Sequence, residues 1–368
     1  MDQLRIHALL VAAAALVATS PAMAAPDHLP AEQVAAVNSV MLREMSQRNI
    51  VGAGLAIVRD GHILFADGYG FANRESDERV TADTRFMIAS MTKMFLASAV
   101  MGLVAERRLS LDQPVGGLLP NIPEAWRTAT VRQLLTHTSG IPSFTDFDTF
   151  PCPPGKPEAD YQMGDVLQEV ACLPMMFPAG TDFGYSESNY HLLAMLVESM
   201  SGQPYEQFMR ERVIGRLKMR HTDFMKAPGE ADTRAIGYRR IDGAIFRAPD
   251  LYPKVELGLV SNLADLARFD GALAAGTLLP KPVLEEMWKP TGIGRASYGM
   301  GFSSRPIGGR RQIGHTGGGP AASTAFARFQ DDNITIILLT NSNQPPATIT
   351  TLVDSVADVI LPARAVGQ

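Results

Sequence analysis

Ser90 and Lys93 stand three residues apart in a stretch that is otherwise uncharged: from Phe86 to Ala105, Lys93 is the one ionisable side chain. On a helix that spacing places both on one face, a turn apart. A buried ammonium is costly unless partners and a task hold it there. A lysine out of water can serve as the base that activates a serine, and a serine at a helix start has its Oγ beside backbone N–H groups that favour developing negative charge. The chemistry open to the pair is nucleophilic attack by Ser90, with Lys93 as its proton partner. The competing reading is an ordinary helix start whose lysine snorkels to the surface. A membrane-spanning helix is a third reading by length, which Lys93, Gly102 and two serines weaken.

The elements that must position this pair are readable from periodicity and turn signals. Val34, Val37, Met41 and Met45 mark an amphipathic helix over Ala31 to Arg48. Asp60-Gly61 separates two apolar runs, Gly54 to Arg59 and His62 to Ala66, and predicts a hairpin. Apolar residues on all faces from Met91 to Ala105 predict a helix buried all round. Thr130 and Gln133 have capping-box spacing ahead of a short helix, Val131 to Leu135. The stretch from Ile141 to Gly180 is rich in Pro, Phe and Asp and reads as loop. Helices are expected at Asn189 to Met200, Tyr205 to Leu217 and, capped by Ser261-Asn262, Leu263 to Ala274. Ser323 to Phe329 and Ile334 to Thr340 predict a second hairpin, and Thr348 to Leu361 a terminal helix. The fold class expected is α/β. N- and C-terminal segments share an antiparallel sheet flanked by helices, and a mostly helical lobe at roughly residues 112–255 is inserted, with a cleft between.

Composition narrows the function. The 368 residues are 46% hydrophobic and 19% charged, as in a globular protein, and the net charge of −5 with no basic block argues against nucleic acid as a partner. Seven histidines lack metal-binding spacing, so neither a metal nor a cofactor is expected. Arg5 and His7 precede an apolar run from Ala8 to Ala18, and Ala22-Met23-Ala24 supplies a small-residue cleavage site. Residues 1–24 therefore read as a signal peptide cut after Ala24, with a periplasmic or secreted mature domain over residues 25–368 and no stable membrane insertion. The two cysteines, Cys152 and Cys172, lie in the Pro-rich loop region of a chain expected to be exported. A disulfide between them is the expectation, and two unpaired thiols the alternative.

Four separated stretches, in order, resemble the serine β-lactamase-like superfamily: Ser90-Met91-Thr92-Lys93, the run from Leu134 to Gly140, Tyr185-Ser186-Glu187 and His315-Thr316-Gly317. The branch they are most similar to holds class C β-lactamases, D-Ala-D-Ala carboxypeptidases and family VIII carboxylesterases, and the resemblance covers nearly the whole mature chain. It implies that Ser90 is acylated, that Lys93 and Tyr185 move its proton with Tyr185 as a phenolate base, and that the N–H groups of Ser90 and Gly318 form an oxyanion hole. Glu187, His315, Thr316 and Gly317 would face the substrate. His137 and Ser139 are read as shaping a turn. Two positions depart from the pattern: Glu187 stands where the family usually has Asn, and His315 where it often has Lys. A carboxylate cannot donate to a substrate amide, so Glu187 is expected to hold Lys93 and disfavour β-lactams, unless Asn189 takes its place. His315 is expected to act as a hydrogen-bond donor in the cleft.

The implied function is a serine hydrolase that works through an acyl-enzyme on small ester, amide or peptide substrates, as a carboxylesterase or a D-amino-acid peptidase. The alternatives are a β-lactamase proper and a non-catalytic relative that binds cell-wall peptide. Oligomeric state is left open by the sequence.

Overall fold

Asp60 and Gly61 both take positive φ, 48° and 84°, the backbone that a two-residue Asp-Gly turn needs between antiparallel strands. The expected first hairpin forms around them in the computed structural model of the protein, which describes residues 28–145, 152, 165–226, 233–248 and 258–362. The expected signal segment 1–24 and the far boundary of the expected lobe, near residue 255, lie outside the described residues.

In chain order, α1 (Ala31–Arg48) leads into β1 (Gly52–Arg59) and β2 (His62–Asn73). Two short strands follow, β3 (Glu78–Arg79) and β4 (Phe86–Met87), and then α2 (Thr92–Ala105). The middle of the chain carries α3 (Val131–Leu135), α4 (Glu187–Ser201) and α5 (Tyr205–Met209), with short strands β5 (Asp223–Phe224), β6 (Tyr238–Ile241) and β7 (Ala244–Arg247). Next come β8 (Leu259–Ser261), α6 (Leu263–Ala275) and α7 (Lys281–Trp288). The last part holds β9 (Ser303–Ile307), β10 (Arg310–Gly319), β11 (Ala322–Phe329), β12 (Ile334–Thr340) and α8 (Pro346–Ile360).

The two ends of the chain build one antiparallel sheet, in the order β3-β2-β1-β12-β11-β10-β9. β1 and β12 meet in its middle with Leu55 opposite Leu338 and Ile57 opposite Ile336. Successive side chains of a strand point to opposite faces, and here both faces are covered. Leu55, Ile57, Ile336 and Leu338 pack with Val37 and Met41 of α1 and Leu352 and Val356 of α8. Ala56, Val58, Ile337 and Leu339 belong to the larger core, which also holds α2, α4 and α6 residues. That explains why these strands read as unbroken apolar runs instead of alternating ones.

α2 is enclosed as its all-round apolar sequence requires, and Lys93 within it has no exposed surface. A three-stranded sheet, β4-β8-β5, pins the segment leading into it. Met87 pairs with Val260, and the Ile88 N–H donates to Leu259 O at 3.0 Å. Asn262 caps α6, accepting from the Asp265 N–H at 3.0 Å, and Thr130 and Gln133 form a reciprocal capping box on α3. Cys152 and Cys172 are joined by a disulfide. Among the described residues no helix is long and apolar enough to cross a membrane.

Candidate active site

Ser90 does not open the α-helix itself. It sits in a single 3-10 turn, Ala89–Met91, directly before α2. Ala89 is held at φ 47°, a backbone that a residue with a Cβ adopts only when its surroundings force it. β10 crosses this turn so closely that a Cβ on Gly317 would lie 2.3 Å from Ile88 O and 3.1 Å from Ala89 Cβ. Thr324 Oγ1 donates to the same Ile88 oxygen at 3.0 Å. Glycine at 317 is therefore what lets the third box lie against the serine turn. The next residue, Gly318, has open space beside its Cα.

Lys93 Nζ lies 3.4 Å from Ser90 Oγ. It hydrogen-bonds the Glu187 carboxylate and sits 5.2 and 5.3 Å from the ring centres of Tyr185 and Tyr190. Ser90 and Glu187 are only 8% and 7% exposed, while Tyr185 keeps 37% of its surface open. Its hydroxyl end faces Ser90 and Lys93. Glu187 is the first residue of α4, and its N–H donates to Ser143 Oγ at 3.1 Å. Asn189 points elsewhere: its Oδ1 accepts from Ser139 Oγ at 2.6 Å and its amide nitrogen lies 3.3 Å from His137 Nδ1. The position beside Lys93 thus belongs to Glu187, and the alternative placing of Asn189 there is corrected. The helix starts two residues earlier than the apolar pattern suggested, which turns Asn189 away.

Electrostatics correct a second expectation. The Tyr185 phenol is pushed up to about 12, by burial first, with Lys93 pulling it down and the Glu187 charge pushing it up. A lone ammonium would favour a phenolate, but the paired carboxylate cancels much of that field. At neutral pH Tyr185 is a phenol, not the expected phenolate.

His315 departs from its expected behaviour as well. Its Nδ1–H donates to Thr316 O at 2.5 Å, which leaves Nε2 to accept from the Tyr298 hydroxyl at 2.9 Å. Both ring nitrogens are engaged inside the protein, so the neutral ring has no donor left for a substrate. Burial, then Lys93, pushes its pKa down to about 3. Thr316 is half-buried on the same strand.

His137 turns out to organise the second box. It takes φ 56° and is fully buried. Its Nδ1 accepts from the Ser186 N–H at 3.2 Å, which fixes the backbone between Tyr185 and Glu187. Ser139 Oγ accepts from the Ile141 N–H while donating to Asn189. Their turn-shaping geometry is as read from the sequence, and its effect is to aim Tyr185. Two tyrosines of the site were not anticipated. Tyr190, one turn after Glu187, donates to Leu135 O at 2.9 Å. Tyr298 holds His315. The Tyr190 signal was present in the i, i+3 spacing from Glu187, whereas Tyr298 lies on a loop before β9 with no local pattern to mark it. Among the described residues no cluster of His, Cys, Asp or Glu is arranged to hold a metal ion.

A family model described as Beta-lactamase matches residues 32–359. The chain belongs to that family. Among its relatives, PbpX of Bacillus subtilis (strain 168) is 29% identical over 253 residues, which cover 68% of this chain and 61% of PbpX. The chain thus spans less than two thirds of that relative. The structure of an octameric penicillin-binding protein homologue from Pyrococcus abyssi superposes with a TM-score of 0.73 at 27% identity, covering 89% of this chain and 77% of the other. The D-amino acid amidase from Ochrobactrum anthropi SV3, solved with L-phenylalanine amide, has the same fold, with a TM-score of 0.77 at 24% identity over 90% of this chain and 99% of the amidase.

Proposed function

We propose that this Beta-lactamase family member is an exported serine hydrolase that works through an acyl-enzyme on small ester or amide substrates. The observation that carries the reading is the convergence of three groups: Ser90 Oγ, Lys93 Nζ at 3.4 Å, and Tyr185, whose ring centre lies 5.2 Å from that Nζ. In this reading Ser90 attacks the substrate carbonyl, and Lys93 and Tyr185 pass its proton onward. The N–H groups of Ser90 and Gly318 receive the oxyanion, beside a strand that Gly317 allows to approach the serine turn. His315 acts by neutral shape on the cleft wall, and Thr316 supplies the hydroxyl there. No cofactor enters the reaction. The amidase relative, named for amides of D-amino acids, supports an amide or peptide as substrate. The Glu187 carboxylate favours esters and simple amides over β-lactams, because it has no N–H to offer.

The experiment is hydrolysis of p-nitrophenyl butyrate by wild type and Ser90→Ala, with a fluorescent penicillin as a second probe. The reading expects loss of hydrolysis in the variant, with wild-type thermal stability, and weak penicillin labelling of the wild type. Full activity in Ser90→Ala would place the nucleophile elsewhere, and efficient penicillin turnover would favour a β-lactamase.

A further inference from the structure

A hydroxyl that becomes an acyl oxygen must lose its proton, and the groups around Ser90 differ in their capacity to take it. Tyr185, on the segment before α4, touches Ser90 but is a phenol pushed up to about 12, chiefly by burial. Tyr190 on α4 and Tyr298 ahead of β9 are phenols that burial raises well above their ordinary value. His137, after α3, and His315, on β10, are weak bases, since burial and then Lys93 drive His137 far down and His315 to about 3. Glu187 is the anion in this group. Its carboxylate hydrogen-bonds Lys93 Nζ, and Nζ in turn reaches Ser90 Oγ. The three atoms form one path, Oγ to Nζ to Oε2, with the side chains of Lys93 and Glu187 0% and 9% exposed.

An ammonium has no lone pair with which to accept a proton. Lys93 can take one from Ser90 only after giving one away, and the carboxylate it touches can receive it. We propose that Glu187 stores the Ser90 proton during acylation, with Lys93 as the relay. The proposal rests on the serine-hydrolase reading of Ser90.

In the step, Lys93 Nζ passes a proton to Glu187 Oε2, leaving an amine and a carboxylic acid. Ser90 Oγ forms its bond to the carbonyl carbon, the carbonyl π pair moves onto the oxygen, and the Oγ proton moves to Nζ. The site then holds an ammonium and a carboxylic acid beside the oxyanion. Collapse restores the carbonyl and breaks the bond to the leaving oxygen or nitrogen. That atom takes a proton from Lys93, which Glu187 replaces. Glu187 ends as a carboxylate, ready for the proton of the water that deacylates the enzyme. In water the two groups differ by about six pKa units, against such a transfer. Out of water neither ion keeps its hydration, and the neutral pair avoids that cost.

The test is the pH profile of acylation, read as the p-nitrophenol burst from p-nitrophenyl butyrate, for wild type, Glu187→Gln and Glu187→Asp. Glutamine keeps the shape and an acceptor oxygen for the ammonium but cannot store a proton. The expected result is acylation slowed roughly 100-fold or more at pH 7 in Glu187→Gln. Its acid limb should move up by roughly one pH unit or more, because Lys93 must then lose its proton to solvent. Glu187→Asp should keep the wild-type limb with a smaller loss. A Glu187→Gln profile with the wild-type limb overturns the proposal, as does a limb that moves equally in Glu187→Asp. If Glu187→Gln does not fold, the Glu187→Asp limb decides, a moved limb counting against. Fluorophosphonate labelling of the same samples separates the two claims: an unlabelled wild type sinks the hydrolase reading, and a labelled one with unmoved Glu187→Gln limb sinks only the proton store.

Discussion

Glu187 replaces an amide with a carboxylate beside Lys93, and several properties of the site trace to that one exchange. It pairs the buried ammonium, adds to burial in keeping Tyr185 a phenol, and leaves no side-chain N–H at that position. A substrate amide carbonyl left without that donor loses about 1–3 kcal/mol, one to two orders of magnitude in acylation rate. Glu187→Asn should therefore raise the ratio of nitrocefin to p-nitrophenyl butyrate turnover by roughly tenfold or more, whatever it does to the absolute rates. An unchanged ratio would mean that residue 187 does not face the acyl side chain. The buried histidines make a separate prediction. His137 and His315 have folded-state pKa values below the ordinary imidazole value of about 6.5. On acidification the unfolded chain binds protons that the folded one does not, so their contribution is intact above about pH 6.5 and is lost as pH falls toward 3. The thermal midpoint should drop between pH 7 and pH 4, and His315→Gln should remove about half of that slope. Equal slopes in both proteins would argue against a neutral buried His315. Ser90 and Lys93 could be read from the sequence because their apolar context is local. The Tyr298–His315 bond could not, since its partners come from a loop and a strand.

Element boundaries followed the local signals closely where caps or turns mark them. Asn262, the capping box at Thr130 and the Asp60-Gly61 turn each fall where the side-chain chemistry requires. β9 contains Pro306, which obscures a strand in the sequence, and it lies at the sheet edge, where a missing N–H is tolerated. β4, β5 and β8 are too short to show any periodicity. The elements are tied together by a charged cluster invisible to local reading. Arg328 on β11 donates to Asp270 on α6 at 2.7 Å and to Asp60 at 3.1 Å, and the Gly61 N–H donates to Asp270 at 3.0 Å. Thr335 on β12 also bonds Asp270. Burial raises the Asp270 pKa in spite of Arg328 and these donors, so the cluster fixes position more than it adds stability. Asp270→Ala leaves Arg328 largely buried beside the half-exposed Asp60 and should cost about 3–5 kcal/mol in urea unfolding. Asp270→Ala combined with Arg328→Met should recover much of that loss, and a double variant as weak as the single one would show that the cavity, not the charge, is responsible.

At the scale of the molecule, the sheet joins segments from the two ends of the chain, and the hydrophobic runs at both ends made that legible in advance. The Cys152–Cys172 bridge closes a loop of 20 residues, for which the chain-entropy account gives roughly 3 kcal/mol. Replacing both cysteines with serine should lower the urea midpoint accordingly while leaving the acid limb of activity in place. A variant of unchanged midpoint would show that the loop contributes nothing to global stability. The activity expectations hang on Ser90 being the residue that is acylated. The most direct measurement is mass spectrometry of the protein treated with a fluorophosphonate and digested with trypsin. The account predicts a single adduct on the peptide from Phe86 to Lys93, assigned to Ser90 by fragmentation and absent from Ser90→Ala. An adduct on another residue, or an active enzyme that carries none, would contradict it.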